Sequence, residues 1–282
     1  MILLTGATGT VGSATAAALQ AAGAPFRVAA RSPVKAQTLG APVVEFDWDR
    51  PDTFGPAFAG AERVFLLTPV SDRQPEYATA AVAAAKRAGV RHVVRLSVIG
   101  AEAEPGIILS RAHRAAERII QQSGIAWTVL RPTFYAQNFV NDYGVDPHKN
   151  GPVYLPHGQG AASWVDGRDV GEAVARTLTE TGHEGKAYTL TGGEAITTAD
   201  AIAVLGAALG RQYEYVDVPD EAAREALRTM GAPAWMVDGF AELHAFVKHG
   251  YAAGVSPAVG DLLRRPPRTF RQYAEDLAAG RA

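Results

Sequence analysis

The strongest constraint on the fold is the stretch "LTGATGTVGSAT" at residues 4–15, with glycines at positions 6, 9 and 12. It follows the apolar run Ile2–Leu4 and leads into an alanine-rich segment. A strand, a glycine turn and a helix in this order bring backbone N–H groups and the positive end of a helix to one point. Glycines suit such a turn because side chains would block a ligand or the positive φ angles. The stretch predicts a pyrophosphate-binding turn, and a purely structural turn is the alternative.

The first half of the chain alternates short apolar runs with segments of helical period. The apolar runs are Met1–Leu4, Phe26–Ala30, Val43–Phe46, Val64–Leu67, His92–Val98 and Trp127–Leu130. Gly23 and Gly89 stand where the intervening helices should end. This alternation is typical of βαβ units. It predicts an α/β fold, namely a doubly wound parallel sheet of the Rossmann type with six strands.

The pattern changes after Pro132, where proline and glycine become frequent up to about residue 160. We expect loops and additional elements there, followed by a helix at about 168–178 and a strand at 188–190. The last third is mostly helical, over 198–209 and then 221–249, with one strand at 213–218.

The domain organisation follows from this change of pattern. We expect residues 1–150 to form a dinucleotide-binding Rossmann domain. Residues 151–282 should combine returning Rossmann elements with a smaller, mostly helical C-terminal lobe that binds a substrate.

Composition excludes several classes of function. The 282 residues are 48% hydrophobic, carry a net charge of −2 and include no cysteine. A core of full size is therefore expected, whereas a nucleic-acid or anionic-membrane surface, disulfides and cysteine-based zinc sites are not. The histidines show no metal-ligand spacing, so we predict no metal. The absence of a signal sequence after Met1 predicts a cytoplasmic protein. We expect a small-molecule substrate as partner, and a homodimer stays open.

The end of the second strand indicates which dinucleotide would bind. The sequence there, "VAARSPVK" at residues 28–35, offers Arg31, Ser32 and Lys35 but no carboxylate. An acidic residue at this corner would hold a ribose 2′-hydroxyl, whereas basic residues favour a 2′-phosphate. The sequence predicts NADPH, and a solvated strand end at Arg31 is the alternative.

Further strand ends should complete the cofactor groove, because ligands of open α/β sheets bind outside the carboxyl ends of the strands. The predicted cofactor-binding residues are Gly6, Thr8, Gly9, Thr10, Val11, Gly12, Arg31, Ser32, Lys35, Asp47, Trp48, Leu67, Thr68, Pro69, Ser97 and Pro132.

The glycine spacing in "TGATGTVG" resembles the GxxGxxG signature of extended and atypical short-chain dehydrogenase/reductases. Members of that superfamily typically use a Tyr-x-x-x-Lys pair, but none of the nine tyrosines here has a lysine four residues later. On the corresponding helix, His113 and Glu117 stand one turn apart. We expect them to pair, with the carboxylate favouring a charged imidazole.

Two further stretches, "GIAWTVLRPTFYAQNF" at 124–139 and "HEGKAYTLTG" at 183–192, are similar to NmrA-like atypical short-chain reductases. That family includes NADPH-dependent reductases of quinones, dyes, imines and aromatic ethers, and also redox-sensing regulators that catalyse nothing. The resemblance implies a Rossmann domain with a small C-terminal lobe, and NADPH and substrate in the cleft between them.

Three residues are the candidates for the substrate site. His113 and Tyr135 are the candidate catalytic residues, and Tyr135 and Asn138 are the candidate substrate contacts. The alternative for His113 is a surface histidine paired with Glu117, and for Tyr135 it is a role in core packing.

The missing Tyr-x-x-x-Lys pair bears on the reaction. A ketone needs a proton on its oxygen as hydride arrives, whereas a quinone or an imine-type acceptor can be reduced by positioning alone. The sequence therefore predicts an NADPH-dependent oxidoreductase that transfers hydride to a flat electrophilic small molecule such as a quinone or imine. A non-catalytic NADP-sensing regulator and a non-redox isomerase or cyclase on the same scaffold are the alternatives.

Overall fold

A computed structural model describes residues 1–281, without the side chains of residues 33 and 35. The chain forms two compact units. The first unit comprises Met1–Gly106, Ser110–Pro132 and Gly167–Thr189, and the second comprises Ile107–Leu109, Thr133–Asp166 and the chain from Leu190 onward. Residues 133–150, which the sequence analysis assigns to the first domain, thus belong to the second unit.

Strands and helices alternate through the first unit. The strands of the chain are β1 (Ile2–Thr5), β2 (Phe26–Ala30), β3 (Val43–Glu45), β4 (Arg63–Leu66), β5 (His92–Leu96), β6 (Ala126–Pro132), β7 (Gly151–Leu155), β8 (Ala161–Ala162), β9 (Lys186–Leu190), β10 (Ile196–Thr197) and β11 (Tyr213–Asp217). The helices are α1 (Thr10–Ala21), α2 (Pro33–Ala36), α3 (Phe54–Phe58), α4 (Gln74–Ala88), α5 (Ile108–Gln121), α6 (Asn138–Asn141), α7 (Gly167–Thr179), α8 (Thr198–Leu209), α9 (Asp220–Thr229), α10 (Ala234–Lys248), α11 (Ala258–Leu263) and α12 (Phe270–Ala278). Short 3-10 turns cover Gln37–Leu39 and Pro51–Thr53.

The sheet of the first unit has the strand order β3-β2-β1-β4-β5-β6-β9. Its pairings from β3 to β6 are parallel. The predicted doubly wound parallel sheet is confirmed, and β9, the strand predicted at 188–190, joins it as a seventh member. The strand order reverses between β1 and β4, and in such sheets ligands bind at this switch point.

The core of the first unit lies between the sheet and the helices. Leu3, Val64 and Val93 point from the strands toward Ala81 and Ala85 of α4. These side chains are almost completely buried. Their removal from water stabilises the parallel strands, which are covered by helices as the sequence pattern predicts.

The second unit contains two small sheets that the sequence analysis missed in part. The predicted strand at 213–218 is present as β11, and it pairs in parallel with β7. The strand β8 pairs with β10 in antiparallel fashion. The helix predicted over 221–249 is split into α9 and α10 at Gly231, whose φ of 79° is left-handed. None of the helices in the described part of the chain is long and apolar enough to cross a membrane.

Helices α1 and α7 pack so closely that a glycine is needed between them. A Cβ at Gly171 would lie 2.5 Å from the Cβ of Ala14 and 2.7 Å from the backbone nitrogen of Thr15. We expect Gly171→Ala to lower the free energy of unfolding by about 1–3 kcal/mol, as in overpacked cores. This loss should exceed the gain in helix propensity of ~1 kcal/mol.

Urea denaturation of the purified variant checks this prediction. The control is Gly55→Ala in α3, where a Cβ would meet nothing within 4 Å. That substitution should leave the stability unchanged or raise it. An equal effect of both substitutions would contradict the close packing of α1 and α7.

Candidate functional site: a dinucleotide cradle at the carboxyl edge of the sheet

The glycine turn begins where β1 is fastened to β4. The Thr5 hydroxyl donates to the Phe65 carbonyl at 3.0 Å and accepts from the Leu67 backbone N–H at 2.8 Å. Gly6 follows with a φ of 65°, and a Cβ there would lie 2.5 Å from the Leu67 side chain. Both the left-handed backbone and the close neighbour therefore require glycine at position 6.

The other two glycines of the turn have different physical reasons. A Cβ at Gly12 would lie 2.1 Å from the Gly6 carbonyl oxygen, so Gly12 allows α1 to approach the turn. A Cβ at Gly9 would meet only that same oxygen, at 3.6 Å. The fold therefore leaves room at Gly9, and the free space lies at the N-terminus of α1.

This geometry fits the pyrophosphate of a dinucleotide. Gly9 is the N-cap of α1, and no side chain caps the helix there. The first-turn N–H groups and the helix dipole favour an anion at this position. Thr8 is exposed and Thr10 is partly buried beside this position, whereas Val11 belongs to the core.

The end of β2 lies next to β1 in the sheet and carries the predicted phosphate ligands. Arg31 and Ser32 are both exposed. Arg31 forms no ion pair with the residues that the structure describes, so its guanidinium is available to a ligand. The Lys35 side chain lies outside the described part of the structure.

The end of β3 provides an aromatic wall. Trp48 packs edge-on against Phe46 with ring centroids 4.9 Å apart, and its ring is tilted against that of Tyr77 with centroids 5.4 Å apart. Asp47 accepts from the Asp49 backbone N–H at 3.1 Å, which closes the turn after the strand. The Trp48 ring is partly buried and thus fixed in place by its neighbours.

The carboxyl end of β4 leads into a buried polar network. The Thr68 hydroxyl donates to Gln74 Oε1 at 3.1 Å, and Arg95 Nη2 donates to the same oxygen at 2.6 Å. The Gln74 amide nitrogen lies 3.0 Å from His113 Nε2. Arg95 Nη2 lies 3.4 Å from His113 Nδ1. Pro69, which follows Thr68, is exposed.

His113 is a neutral imidazole in this network. Gln74 Oε1 accepts from Thr68 and Arg95, so the Gln74 amide nitrogen donates to His113 Nε2. An imidazolium has no nitrogen that can accept, so Nε2 is unprotonated and the single ring proton lies on Nδ1. Burial and the nearby Arg95 charge hold the pKa of His113 well below 6.5. The prediction from the sequence that His113 is charged is therefore wrong.

Glu117 takes no part in orienting His113, and the predicted pairing of these two residues is wrong. The buried Glu117 carboxylate accepts from the Ser97 hydroxyl and binds Arg131 through two N–H groups, at 2.6 and 3.0 Å. Arg131 also lies 3.2 Å from Glu102. Ser97 is only 2% exposed, and it ties β5 to α5 in this way. Pro132 ends β6 beside it, and its carbonyl accepts from Ile99.

The predicted substrate residues Tyr135 and Asn138 belong to the second unit. Burial raises the pKa of Tyr135 above its usual value, so its phenol stays protonated. The Asn138 side chain forms a hydrogen bond with Tyr143. Tyr143 stacks edge-on against Phe139 with ring centroids 5.4 Å apart.

A pair of histidines in the second unit, the buried His157 and the half-buried His244, was not predicted. His157 Nε2 lies 2.8 Å from His244 Nδ1, and His157 Nδ1 lies 2.8 Å from the Thr198 hydroxyl. Burial lowers the pKa of His157 to about 3 and that of His244 to about 4. Among the described residues, no group of three metal-ligating side chains could hold a metal ion.

The network around Arg95 was missed by the sequence analysis, although one signal pointed to it. Arg95 interrupts the apolar run "HVVRLSV" at residues 92–98. A charge inside a central strand is rare unless it is paired or functional. Gln74 carried no comparable signal, because glutamine at a helix start is ordinary.

These features together define a Rossmann-fold protein with an uncapped helix N-terminus and free space at the glycine turn beside the switch point of its sheet. Its sequence matches the model of the NmrA-like family over residues 1–274, and the chain belongs to that family.

The chain is similar to relatives of known activity over nearly its full length. It is 38% identical to the NAD(P)H azoreductase of Xenophilus azovorans, over 99% of this chain and 98% of that protein. The NADPH-dependent quinone oxidoreductase of Escherichia coli in complex with NADPH superposes with a TM-score of 0.85 at 28% identity, covering 98% and 99% of the two chains. The triphenylmethane reductase of Citrobacter sp., in complex with NADP(H), superposes with a TM-score of 0.82 at 25% identity, covering 98% and 99%.

The histidine pair predicts sensitivity to acid. In the unfolded chain these imidazoles titrate near pKa 6.5. Below this pH the unfolded state therefore binds more protons than the folded state does. The free energy of unfolding should therefore fall as the pH falls from about 6.5 to 4, by up to about 1.4 kcal/mol per pH unit for each histidine.

Urea denaturation at several pH values measures this slope. His157→Gln should make it shallower, because the glutamine cannot titrate. The control is His249→Gln, which alters an exposed histidine. An unchanged slope in His157→Gln would contradict the assignment.

Proposed function

We propose that this protein is an NADPH-dependent oxidoreductase that transfers hydride to a flat, electrophilic small molecule of the quinone or azo type. The observation that carries the proposal is the cradle at Gly9, with an uncapped helix N-terminus and free space for a pyrophosphate. Bound NADPH supplies the hydride in such a reaction. Arg31 and Ser32 would hold its 2′-phosphate, and Lys35 would add a second charge.

The relatives support this assignment. The azoreductase and the quinone oxidoreductase differ in their acceptors, but both names describe reduction by a nicotinamide dinucleotide. Their acceptors share conjugated electrophilic bonds. For this chain we therefore propose the acceptor class rather than one compound.

The protonation states of the buried groups favour acceptors that need no acid catalyst. His113 is neutral and its Nε2 accepts from Gln74, and burial keeps the Tyr135 phenol protonated. A simple ketone would need a proton donor at its oxygen. Quinones and azo compounds can accept hydride first and take a proton from water afterwards. We propose Tyr135 and Asn138 as substrate contacts, and His113 as a polar contact without a proton-donating role.

Binding of the dinucleotide tests the cofactor assignment. Titration of the purified protein with NADPH and NADH, followed by tryptophan fluorescence, should show tighter binding of NADPH. Arg31→Ala should weaken NADPH binding by about tenfold or more and leave NADH binding nearly unchanged, because one charge-assisted contact contributes ~1.5–3 kcal/mol. Equal losses for both dinucleotides would contradict the role of Arg31.

Addition of menadione to the NADPH complex then separates the alternatives. Oxidation of NADPH supports the reductase. Tight binding without oxidation of NADPH by a panel of quinones and azo dyes would favour the sensor. Conversion of an added substrate without net consumption of NADPH would favour an isomerase or cyclase.

The glycine turn offers a sharper separation of fold from binding. Gly9→Ala should leave the melting temperature almost unchanged, because its Cβ would be 3.6 Å from the nearest atom. It should nevertheless weaken NADPH binding by about tenfold or more, because the methyl group enters the space for the pyrophosphate. Gly12→Ala is the contrast, since its Cβ would lie 2.1 Å from a backbone oxygen and should destabilise the fold itself. Unaltered NADPH affinity in Gly9→Ala would contradict the proposal that the pyrophosphate binds at Gly9.

A further inference from the structure

The polar network described above is continuous with the cradle. A Cβ at Gly6 would lie 2.5 Å from the Leu67 side chain, and the residue after Leu67, Thr68, donates to Gln74. Gln74 in turn contacts both Arg95 and His113. All of these residues lie at or beside the carboxyl ends of β1, β4 and β5, where ligands of such sheets bind. The network is therefore part of the edge that faces a bound cofactor and its acceptor.

Among the residues that the structure describes, Arg95 forms no ion pair with a carboxylate. Its side chain is completely buried, and within that part of the chain its hydrogen-bond acceptors are the Leu66 carbonyl at 3.3 Å and Gln74 Oε1. Within the described residues its Nε has no partner. A buried charge in this state destabilises the fold.

Arg131 shows the contrasting arrangement in the same unit. Its guanidinium binds Glu117 through two N–H groups and also lies near Glu102. Glu117 is thereby neutralised by Arg131 and contributes only a weaker, longer-range attraction to Arg95. The positive charge of Arg95 is therefore left largely uncompensated within its unit.

Gln74 connects Arg95 to His113 through its side-chain amide. Its Oε1 accepts from Thr68 and Arg95 at once, which fixes the orientation of the amide. The amide nitrogen then points to His113 Nε2, while the guanidinium lies on the Nδ1 side. His113 contacts both Gln74 and Arg95 and is itself partly exposed.

We propose that Arg95 is a specificity-determining positioning residue that favours acceptors whose reduced form is an anion. This inference rests on the proposed function. A neutral quinone that gains a hydride gains two electrons and one proton, so it becomes a hydroquinone monoanion while NADPH becomes NADP⁺. The monoanion later takes a proton from water. A fixed positive charge in a low-dielectric setting stabilises the negative charge as it develops.

A cationic acceptor would respond in the opposite way. A triarylmethane cation that gains a hydride at its central carbon becomes a neutral product. The Arg95 charge repels that cation and gives its neutral product no electrostatic stabilisation. Arg95 should therefore set the ratio of the activities toward neutral quinones and cationic dyes. Substitution of a purely structural residue would instead lower both activities together and leave their ratio unchanged.

The test compares Arg95→Met with the wild-type protein. We measure NADPH oxidation with menadione and with the cationic dye crystal violet, and take the ratio of the two kcat/KM values. The ratio should fall by about tenfold or more in Arg95→Met, in the range seen when a single stabilising donor is removed from an active site. Arg95→Lys keeps the charge and should recover most of the ratio.

Stability provides a readout that is independent of turnover. Because Arg95 forms no ion pair within the described residues, Arg95→Met should melt at the same temperature as the wild type or higher. The matched control is Arg131→Met, which leaves Glu117 buried without its partner and should melt at a lower temperature. Arg95→Gln serves for the ratio if Arg95→Met does not fold.

A spectroscopic probe completes the experiment. In the NADP⁺ complex, 4-nitrophenol mimics a reduced acceptor, and its yellow phenolate reports ionisation. The wild-type complex should lower the apparent pKa of the bound phenol, and Arg95→Met should not. An unchanged acceptor ratio in a folded neutral variant, or an equal phenol pKa in both proteins, would overturn the proposal. Absence of turnover with both acceptors in the wild type would instead overturn the proposed function, and this inference with it.

Discussion

The close approach of helix α1 to the end of β1 is the constraint on which the first unit depends. The Gly6 carbonyl oxygen occupies the place where a Cβ of residue 12 would stand. Only glycine at position 12 lets the helix begin so near the strand, and this start leaves the helix dipole aimed at the space beside Gly9. Thr5 ties the same point to β4. The tie between β1 and β4, the position of α1 and the anion-binding geometry thus all depend on this one turn.

A second constraint is electrostatic. Two arginines lie near the carboxyl ends of β5 and β6, the buried Arg95 and the half-buried Arg131, and their partners differ. Arg131 is neutralised by Glu117, whereas Arg95 is held by an amide and a carbonyl oxygen. Proteins seldom keep an uncompensated buried charge for stability, because desolvation outweighs such neutral contacts. Arg95 is such an exception, and it lies beside the proposed site. Ionisable groups with shifted pKa values cluster at functional sites.

The alternation of apolar runs and helical segments was sufficient to predict the sheet, and the glycine spacing was sufficient to predict the cradle. Both signals are local, because strand and helix periods and left-handed turns depend on neighbouring residues. The partners of His113 were not predicted correctly. A spacing of four residues brings His113 and Glu117 onto one helical face, but Arg131 and Ser97 from neighbouring strands hold the carboxylate. The pair of His157 and His244 joins residues far apart in the chain, so no local pattern could reveal it.

The sequence by itself determined the fold class, the family and the position of the glycine turn, because glycines and apolar periodicity act over a few residues. Tertiary structure decided the protonation and orientation of the polar groups. His113 is neutral because its Nε2 accepts from the Gln74 amide and because burial and the Arg95 charge disfavour an imidazolium. Burial and long-range hydrogen bonds set such states, and they depend on which strands and helices become neighbours once the chain has folded.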